Sequence, residues 1–229
     1  MIADPVIVAL DFESSGEADR LVSALGESAG FYKIGMELYA AAGMDYVRRL
    51  IDRGKRVFLD LKYYDIGETV RRAVAVAARS GAEFLTIHSV GQVMRAAIAG
   101  RGDSPMKLLA VTVLTSFDQN DLRELGYECA VGELVSGRVR LAMASGMDGI
   151  VGSAVEARTI RELAGESALL VTPGVRSRGA SAGDQKRVAT PAEALRDGAS
   201  YVVVGRQVTR AADPALALAA IHEELQVHV

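Results

Sequence analysis

The chain has 229 residues, half of them hydrophobic, and a formal net charge of −3. That length and apolar content suit one α/β domain spanning residues 1–229, and the mildly acidic balance leaves no basic footprint for nucleic acid. The single cysteine, Cys129, excludes an intramolecular disulfide, fits a reducing compartment, and reads as a small hydrophobe on a helix rather than a nucleophile.

No uncharged run approaches the ~20 residues a membrane span needs, so no membrane partner is expected. The first residues carry no basic segment followed by a long apolar core, so no signal peptide is expected either, and the location implied is cytoplasmic. Along the chain, Val6-Ile7-Val8-Ala9-Leu10-Asp11 is a short, continuously apolar run ending in an acid, as buried parallel strands read. Ser14 and Ser15 then offer caps for a helix carrying Ala18, Leu21, Val22 and Leu25 at helical spacing. Phe31–Gly35 is the second strand and about Glu37–Asp52 the next helix. Arg56-Val57-Phe58-Leu59 opens the third strand, and about Thr69–Ser80 is helical. Phe84–His88 and Leu108–Leu114 are the fourth and fifth strands, with helices at about Gln92–Ala99 and Ala130–Ala144. Gly149–Gly152 and Leu169–Pro173 are the sixth and seventh, separated by a helix near Val155–Leu163. Pro191–Asp197 reads as helix, Tyr201–Gly205 as the eighth strand, and about Pro214–Leu225 as the last helix.

Strict alternation without a linker predicts a single-domain parallel (β/α)8 barrel, the TIM barrel. A doubly wound open sheet is the alternative, weakened by the absence of a Gly-x-Gly-x-x-Gly turn after the first strand. The longest aperiodic stretch, Gly174 to Thr190, is rich in Gly, Ser, Arg and Ala, and loops of that length in compact domains usually carry function.

In such a barrel the carboxyl ends of the strands share one rim, where active sites sit. The third strand runs into Asp60-Leu61-Lys62-Tyr63-Tyr64-Asp65. Residues two apart share a side, so Asp60 and Lys62 face one way while Leu59 and Leu61 face the other, with Asp65 just beyond. By the same parity Asp11 and Lys33 turn inward, which predicts an alternating array of acids and bases at the rim. Alone, Asp11 reads as a helix cap, Lys33 as a counter-ion and His88 as a satisfied core histidine; together the four charges point to chemistry. The loops after strands seven and eight carry the second signal. Gly174-Val175-Arg176 and Gly205-Arg206 offer backbone N–H groups, a short helix start and a bidentate guanidinium, a combination suited to phosphate.

These residues together resemble the orotidine 5′-monophosphate decarboxylase family over essentially the whole chain. The resemblance is carried by Val8-Ala9-Leu10-Asp11, Lys33-Ile34-Gly35, Asp60-Leu61-Lys62-Tyr63-Tyr64-Asp65-Ile66, Leu109 through Ser116, Thr172-Pro173-Gly174-Val175-Arg176, Ala182-Gly183-Asp184-Gln185-Lys186-Arg187 and Val204-Gly205-Arg206. It implies cofactor-free loss of CO2 from orotidine 5′-monophosphate, the last step of de novo pyrimidine synthesis, with no metal. It implies catalytic roles for Lys62 as proton donor, Asp60 beside the scissile carboxylate, Lys33, and Asp65 reaching into the partner's site of a homodimer. Asp11 and Thr69 would hold the ribose, Thr69 again from the partner. Thr115 and Gln185 would meet the pyrimidine, Pro173 would line the site, and Arg176, Gly205 and Arg206 would bind phosphate.

Bacterial members typically read Lys-Phe-His-Asp-Ile-Pro-Asn-Thr where this chain reads Lys62-Tyr63-Tyr64-Asp65-Ile66-Gly67-Glu68-Thr69. Gly67 lacks proline's fixed φ, and an acid at Glu68 resembles the sugar-phosphate branch of the superfamily. A magnesium-dependent keto-sugar-phosphate decarboxylase or aldolase is therefore the runner-up, with metal on carboxylates such as Asp60 and Glu68. A catalytically silent nucleotide-phosphate binder is a third reading, disfavoured because anion binding gains nothing from two added carboxylates.

Overall fold

The computed structural model describes residues 4–177 and 189–226. Among these, eight parallel strands close into a barrel in sequence order, β1(Val6–Leu10), β2(Phe31–Gly35), β3(Arg56–Tyr63), β4(Phe84–His88), β5(Lys107–Val111), β6(Gly149–Val151), β7(Leu169–Pro173) and β8(Tyr201–Val204), with β8 pairing back onto β1. The outer helices are α1(Ser15–Leu25), α2(Met36–Asp52), α3(Gly67–Ala78), α4(Gly91–Arg101), α5(Gln119–Glu124), α6(Val131–Ala144), α7(Ala157–Ala164), α8(Pro191–Arg196), the single turn α9(Arg206–Thr209) and α10(Pro214–Gln226). The expected barrel is thus the observed one. Among the described residues no helix is long and apolar enough to cross a membrane.

Strands that are apolar on both faces build two hydrophobic layers. Val8, Leu10, Tyr32, Ile34, Leu59, Ile87 and Val202 face outward and pack against the apolar stripes of the helices. Ile7, Ala9, Phe31, Phe58, Phe84, Val111, Val171 and Val203 face inward and fill the barrel. At its amino-terminal end Phe31, Phe84 and Tyr201 pack edge to face, 5.1–5.7 Å between ring centres. Arg56 closes that end. Its guanidinium lies 4.1 Å over the Phe31 ring, grips the Glu83 carboxylate with two 2.6 Å bonds and donates to the Tyr201 hydroxyl. Rings and guanidinium together fill this end of the barrel among the described residues.

Several boundaries differ from the sequence reading. The fifth strand ends at Val111 rather than Leu114, because the chain turns off the sheet into the segment leading to α5. Helix α5 has no counterpart in the periodicity reading; it is six residues long and nucleated by the reciprocal capping of Asp118 and Asp121. Cys129 is not on a helix but in a bend ahead of α6, partly buried, its carbonyl accepting from Gln119 Nε2. Helices α3 and α4 pack so closely that a Cβ at Gly100 would lie 2.2 Å from the Arg71 carbonyl oxygen, so any larger residue there must push the two helices apart.

The third strand departs most from regular geometry. Leu59 pairs with Leu85 and Tyr63 with Ile87, so four steps along β3 span two along β4. The excess is taken up as a bulge in which Lys62 adopts φ 49°, the only positive φ outside glycine among the described residues. Leu59 and Leu61 still face the outer core, as alternation predicts, but the ladder beside them is broken.

Candidate active site

A cavity of about 840 Å³ opens at the carboxyl rim, a size typical of small-molecule sites. It is lined by Asp11, Lys33, Asp60 and Lys62 on one side and by Arg176 and Arg206 on the other. Pro173, Gly205 and Thr115 are also among its lining residues.

The four rim charges alternate in sign through space. Asp11 Oδ1 lies 3.1 Å from Lys33 Nζ, Lys33 Nζ 3.5 Å from Asp60 Oδ2, and Asp60 Oδ1 2.8 Å from Lys62 Nζ. Inward parity on β1 and β2 delivers the first two, and Gly35 leaves them room: a Cβ there would stand 3.1 Å from Asp11 Oδ1 and 3.2 Å from Lys33 Nζ. The array is graded in depth. Side-chain exposure is 10% at Lys33 and 14% at Asp60, rises to 25% at Lys62 and reaches 57% at Asp11. Of the two lysines in the array, Lys62 is the more accessible and Lys33 the buried counter-charge behind Asp60.

Burial alone would depress the Lys33 ammonium, but the neighbouring Asp60 and Asp11 outweigh it and hold its pKa above the ordinary lysine value. Burial likewise pushes Asp60 up. Lys33, Lys62 and a hydrogen bond from Thr86 overcome that cost, and the carboxyl titrates below its usual range. Both groups are thus charged at neutral pH inside a low-dielectric mouth, where their fields on a ligand are strong.

On the opposite wall Arg176 is buried, its guanidinium donating to the Val175 carbonyl at 2.7 Å, while Arg206 is exposed at the start of α9. Burial, and then the like charge of Arg206, lower the Arg176 pKa. Two guanidiniums thus stand on one wall, a donor pair of the kind that binds oxyanions. Gln207 ties this turn to the preceding loop by exchanging bonds with Ser177, 2.6 Å to its hydroxyl and 3.1 Å from its N–H.

Two of the sequence candidates stand away from this cavity. Asp65 and Thr69 are exposed and are not among the residues lining it; Asp65 Oδ1 instead accepts from the adjacent Ile66 N–H at 2.6 Å. Gln185, with Lys186 and Arg187 of the same loop, lies outside the described residues. Glu68, on which a magnesium site would lean, is gripped by Arg71 and Arg72 on its own helix; their hydrogen bonds hold its pKa at about 2. His88 is half-buried, its ring 5.3 Å from that of Tyr64, and its pKa is lowered by burial and by Arg138 and Lys62. Sequence reasoning missed Thr86 and Gln207. The only sign of Thr86 was a hydroxyl inside the apolar run Phe84-Leu85-Thr86-Ile87, and Gln207 gave no sign beyond following Gly205-Arg206.

Comparison with known proteins gives the chain's relatives. Residues 4–221 match the family model described as "Orotidine 5′-phosphate decarboxylase / HUMPS family". Among curated relatives, orotidine 5′-phosphate decarboxylase of Nitrobacter winogradskyi is 50% identical over 222 residues, covering 97% of this chain and 92% of that protein. The enzyme of the same name from Rhodopseudomonas palustris strain BisB5 is 52% identical over 222 residues, covering 97% and 94%. Of solved structures, orotidine 5′-phosphate decarboxylase from Lactobacillus acidophilus superposes with a TM-score of 0.85 at 37% identity, over 97% of this chain and 99% of that one.

Proposed function

The chain belongs to the orotidine 5′-phosphate decarboxylase / HUMPS family, and from that premise we propose that it is a carboxy-lyase acting on orotidine 5′-monophosphate. The reaction yields uridine 5′-monophosphate and CO2, which puts the chain in pyrimidine nucleotide synthesis. The observation that carries this reading is the alternating row Asp11–Lys33–Asp60–Lys62 facing the arginine pair across one cavity. The phosphate would sit against Arg176, Arg206 and the turn at Gly205, with Asp11 on the ribose and Thr115 and Gln185 on the pyrimidine. That pose leaves the base over Lys62.

In the proposed step the C6–carboxylate bond breaks, CO2 leaves neutral, and the electron pair stays on C6. The Lys62 ammonium stabilises that pair and then gives it a proton, forming the C6–H bond; solvent reprotonates the amine. Asp60 beside the substrate carboxylate adds repulsion that disappears as CO2 departs. A like-charged pair at ~4 Å is worth about 4 kcal/mol at an effective dielectric near 20. Enzymes lower their barriers by roughly 8–23 kcal/mol, so repulsion is the smaller contribution. Stabilisation of the carbanion by Lys62, backed by binding energy at the remote phosphate, is the larger.

We further propose a homodimer in which Asp65 and Thr69 complete the partner's site. Their exposure, their absence from the lining of their own chain's cavity, and the exposed apolar side chains of Tyr64 and Ile66 on either side of Asp65 support this. The reaction needs no cofactor in this scheme. The decisive experiment follows the ultraviolet absorbance of orotidine 5′-monophosphate with the purified protein, with and without EDTA. The expected result is decay to the uridine nucleotide spectrum, indifferent to EDTA. A chelator-sensitive reaction, or none, overturns the assignment.

A further inference from the structure

The strained lysine and its carboxylate partner share one neighbour that the scheme above does not use. Thr86, in the middle of β4, is fully buried. Buried threonines elsewhere in the barrel satisfy their hydroxyls on main-chain carbonyls: Thr112 on Val151 at 3.3 Å, and Thr172 on Tyr201 at 3.4 Å. Thr86 is placed differently. Its Oγ1 accepts the Lys62 backbone N–H at 2.8 Å and donates to Asp60 Oδ1 at 3.1 Å, with the Leu59 carbonyl more distant at 3.5 Å.

The first of these bonds meets an N–H in the stretch where the β3–β4 ladder is interrupted, between the Leu59–Leu85 and Tyr63–Ile87 pairs. An unpaired buried N–H there would press the bulge to relax, and Lys62 would leave its left-handed conformation. That conformation determines where the side chain starts from its Cα, and in it the ammonium stands 2.8 Å from Asp60. The second bond turns the carboxylate so that Oδ1 receives both Lys62 and Thr86 while Oδ2 is left to Lys33. One hydroxyl therefore holds the proton donor from the backbone side and its acid from the side-chain side.

We propose that Thr86 is the positioning residue of the Lys62–Asp60 pair, acting on the reaction through the backbone of Lys62 and the orientation of Asp60. The catalytic part of this statement rests on the decarboxylase reading; the geometric part does not. Placing a catalytic group ~1 Å out of line can cost about a hundredfold in rate, and the phosphate end of the cavity is untouched by the change.

The test is Thr86→Val, which keeps the shape and removes the hydroxyl, beside Thr86→Ser, which keeps the hydroxyl. Thr86→Val is expected to lower kcat by about a hundredfold with KM near the wild-type value, and Thr86→Ser to recover most of the loss. The acid limb of kcat/KM should move to higher pH in Thr86→Val, because Asp60 loses a donor to its ionised form. The other groups facing that carboxylate, Lys33 from β2 and Lys62 from β3, remain, as does Asp11 behind Lys33. A residue that only filled space would lower thermal stability and leave that limb in place. If Thr86→Val does not fold, Thr86→Ala carries the same comparison. Wild-type-like kcat and acid limb in the hydroxyl-free variant overturn the proposal. A crystal structure of that variant gives an answer independent of turnover. Lys62 is expected at negative φ with its ammonium drawn away from Asp60, and retention of φ near 49° with the ion pair intact overturns the proposal even if the wild type proves inactive on the nucleotide.

Discussion

At the scale of single residues, the site separates charges by depth, and the proposed chemistry gives them different work. Lys62 is the reachable cation, and the proposed chemistry has no substitute for it, since Lys33 is held behind Asp60. Lys62→Ala is expected to abolish turnover while uridine 5′-monophosphate still binds through the arginine wall, which calorimetry would register; near-normal turnover would remove Lys62 from the mechanism. Asp60 has a role in stability as well. Its folded pKa lies below the unfolded value of about 3.9, so its stabilising effect is complete above that value and is lost as pH falls through the folded pKa. Asp60→Asn should therefore lower stability at pH 7 by about 1.5–3 kcal/mol, the worth of hydrogen bonds to a charged group. Denaturant midpoints of variant and wild type should converge in acid, where the wild-type carboxyl is itself protonated. A gap that stayed constant from pH 7 to pH 3 would show that the ionised form is not what stabilises the fold.

At the scale of elements, continuous apolar runs made most strands legible, because strands buried on both faces need no polar side chain. Alternation along β1 and β2 also brought Asp11 and Lys33 to the rim as expected. The same rule was incomplete for β3. Its bulge depends on the register set by β4, and the register comes from barrel closure rather than from the residues of β3 alone. Helix α5 escaped because six residues are too few for helical periodicity to declare itself, and its signal is a cap instead. The α3–α4 contact is a further case, since nothing local marks Gly100 as a point of close approach. Gly100→Ala forces the two helices apart and is expected to cost about 1–3 kcal/mol, read as a lowered Tm. An unchanged Tm would mean that the helices separate freely there.

At the scale of the whole molecule, the barrel as described has one end filled by aromatic rings and Arg56 and one end with a cavity, and the charged array lines that cavity. If Asp65 completes the partner's site, the site belongs to two chains. Mixing inactive Lys62→Ala and Asp65→Ala proteins under exchanging conditions would then rebuild one intact site in each hybrid dimer, restoring roughly one quarter of wild-type activity for random pairing. A mixture that stays inactive despite proven exchange would place Asp65 outside the partner's site. The sequence by itself determined the order of the strands and of the helices other than α5, the apolar character of both strand faces, and the gathering of Asp11, Lys33, Asp60 and Lys62 at the rim. Each of these follows from local periodicity and from the rule that parallel strands end on the same side. The tertiary structure alone decided that Lys33 is buried and Lys62 reachable, that Arg56 plugs the bottom, and that Thr86 meets both Lys62 and Asp60. Those facts depend on contacts between strands distant in the chain, made by a register that exists only once the barrel has closed.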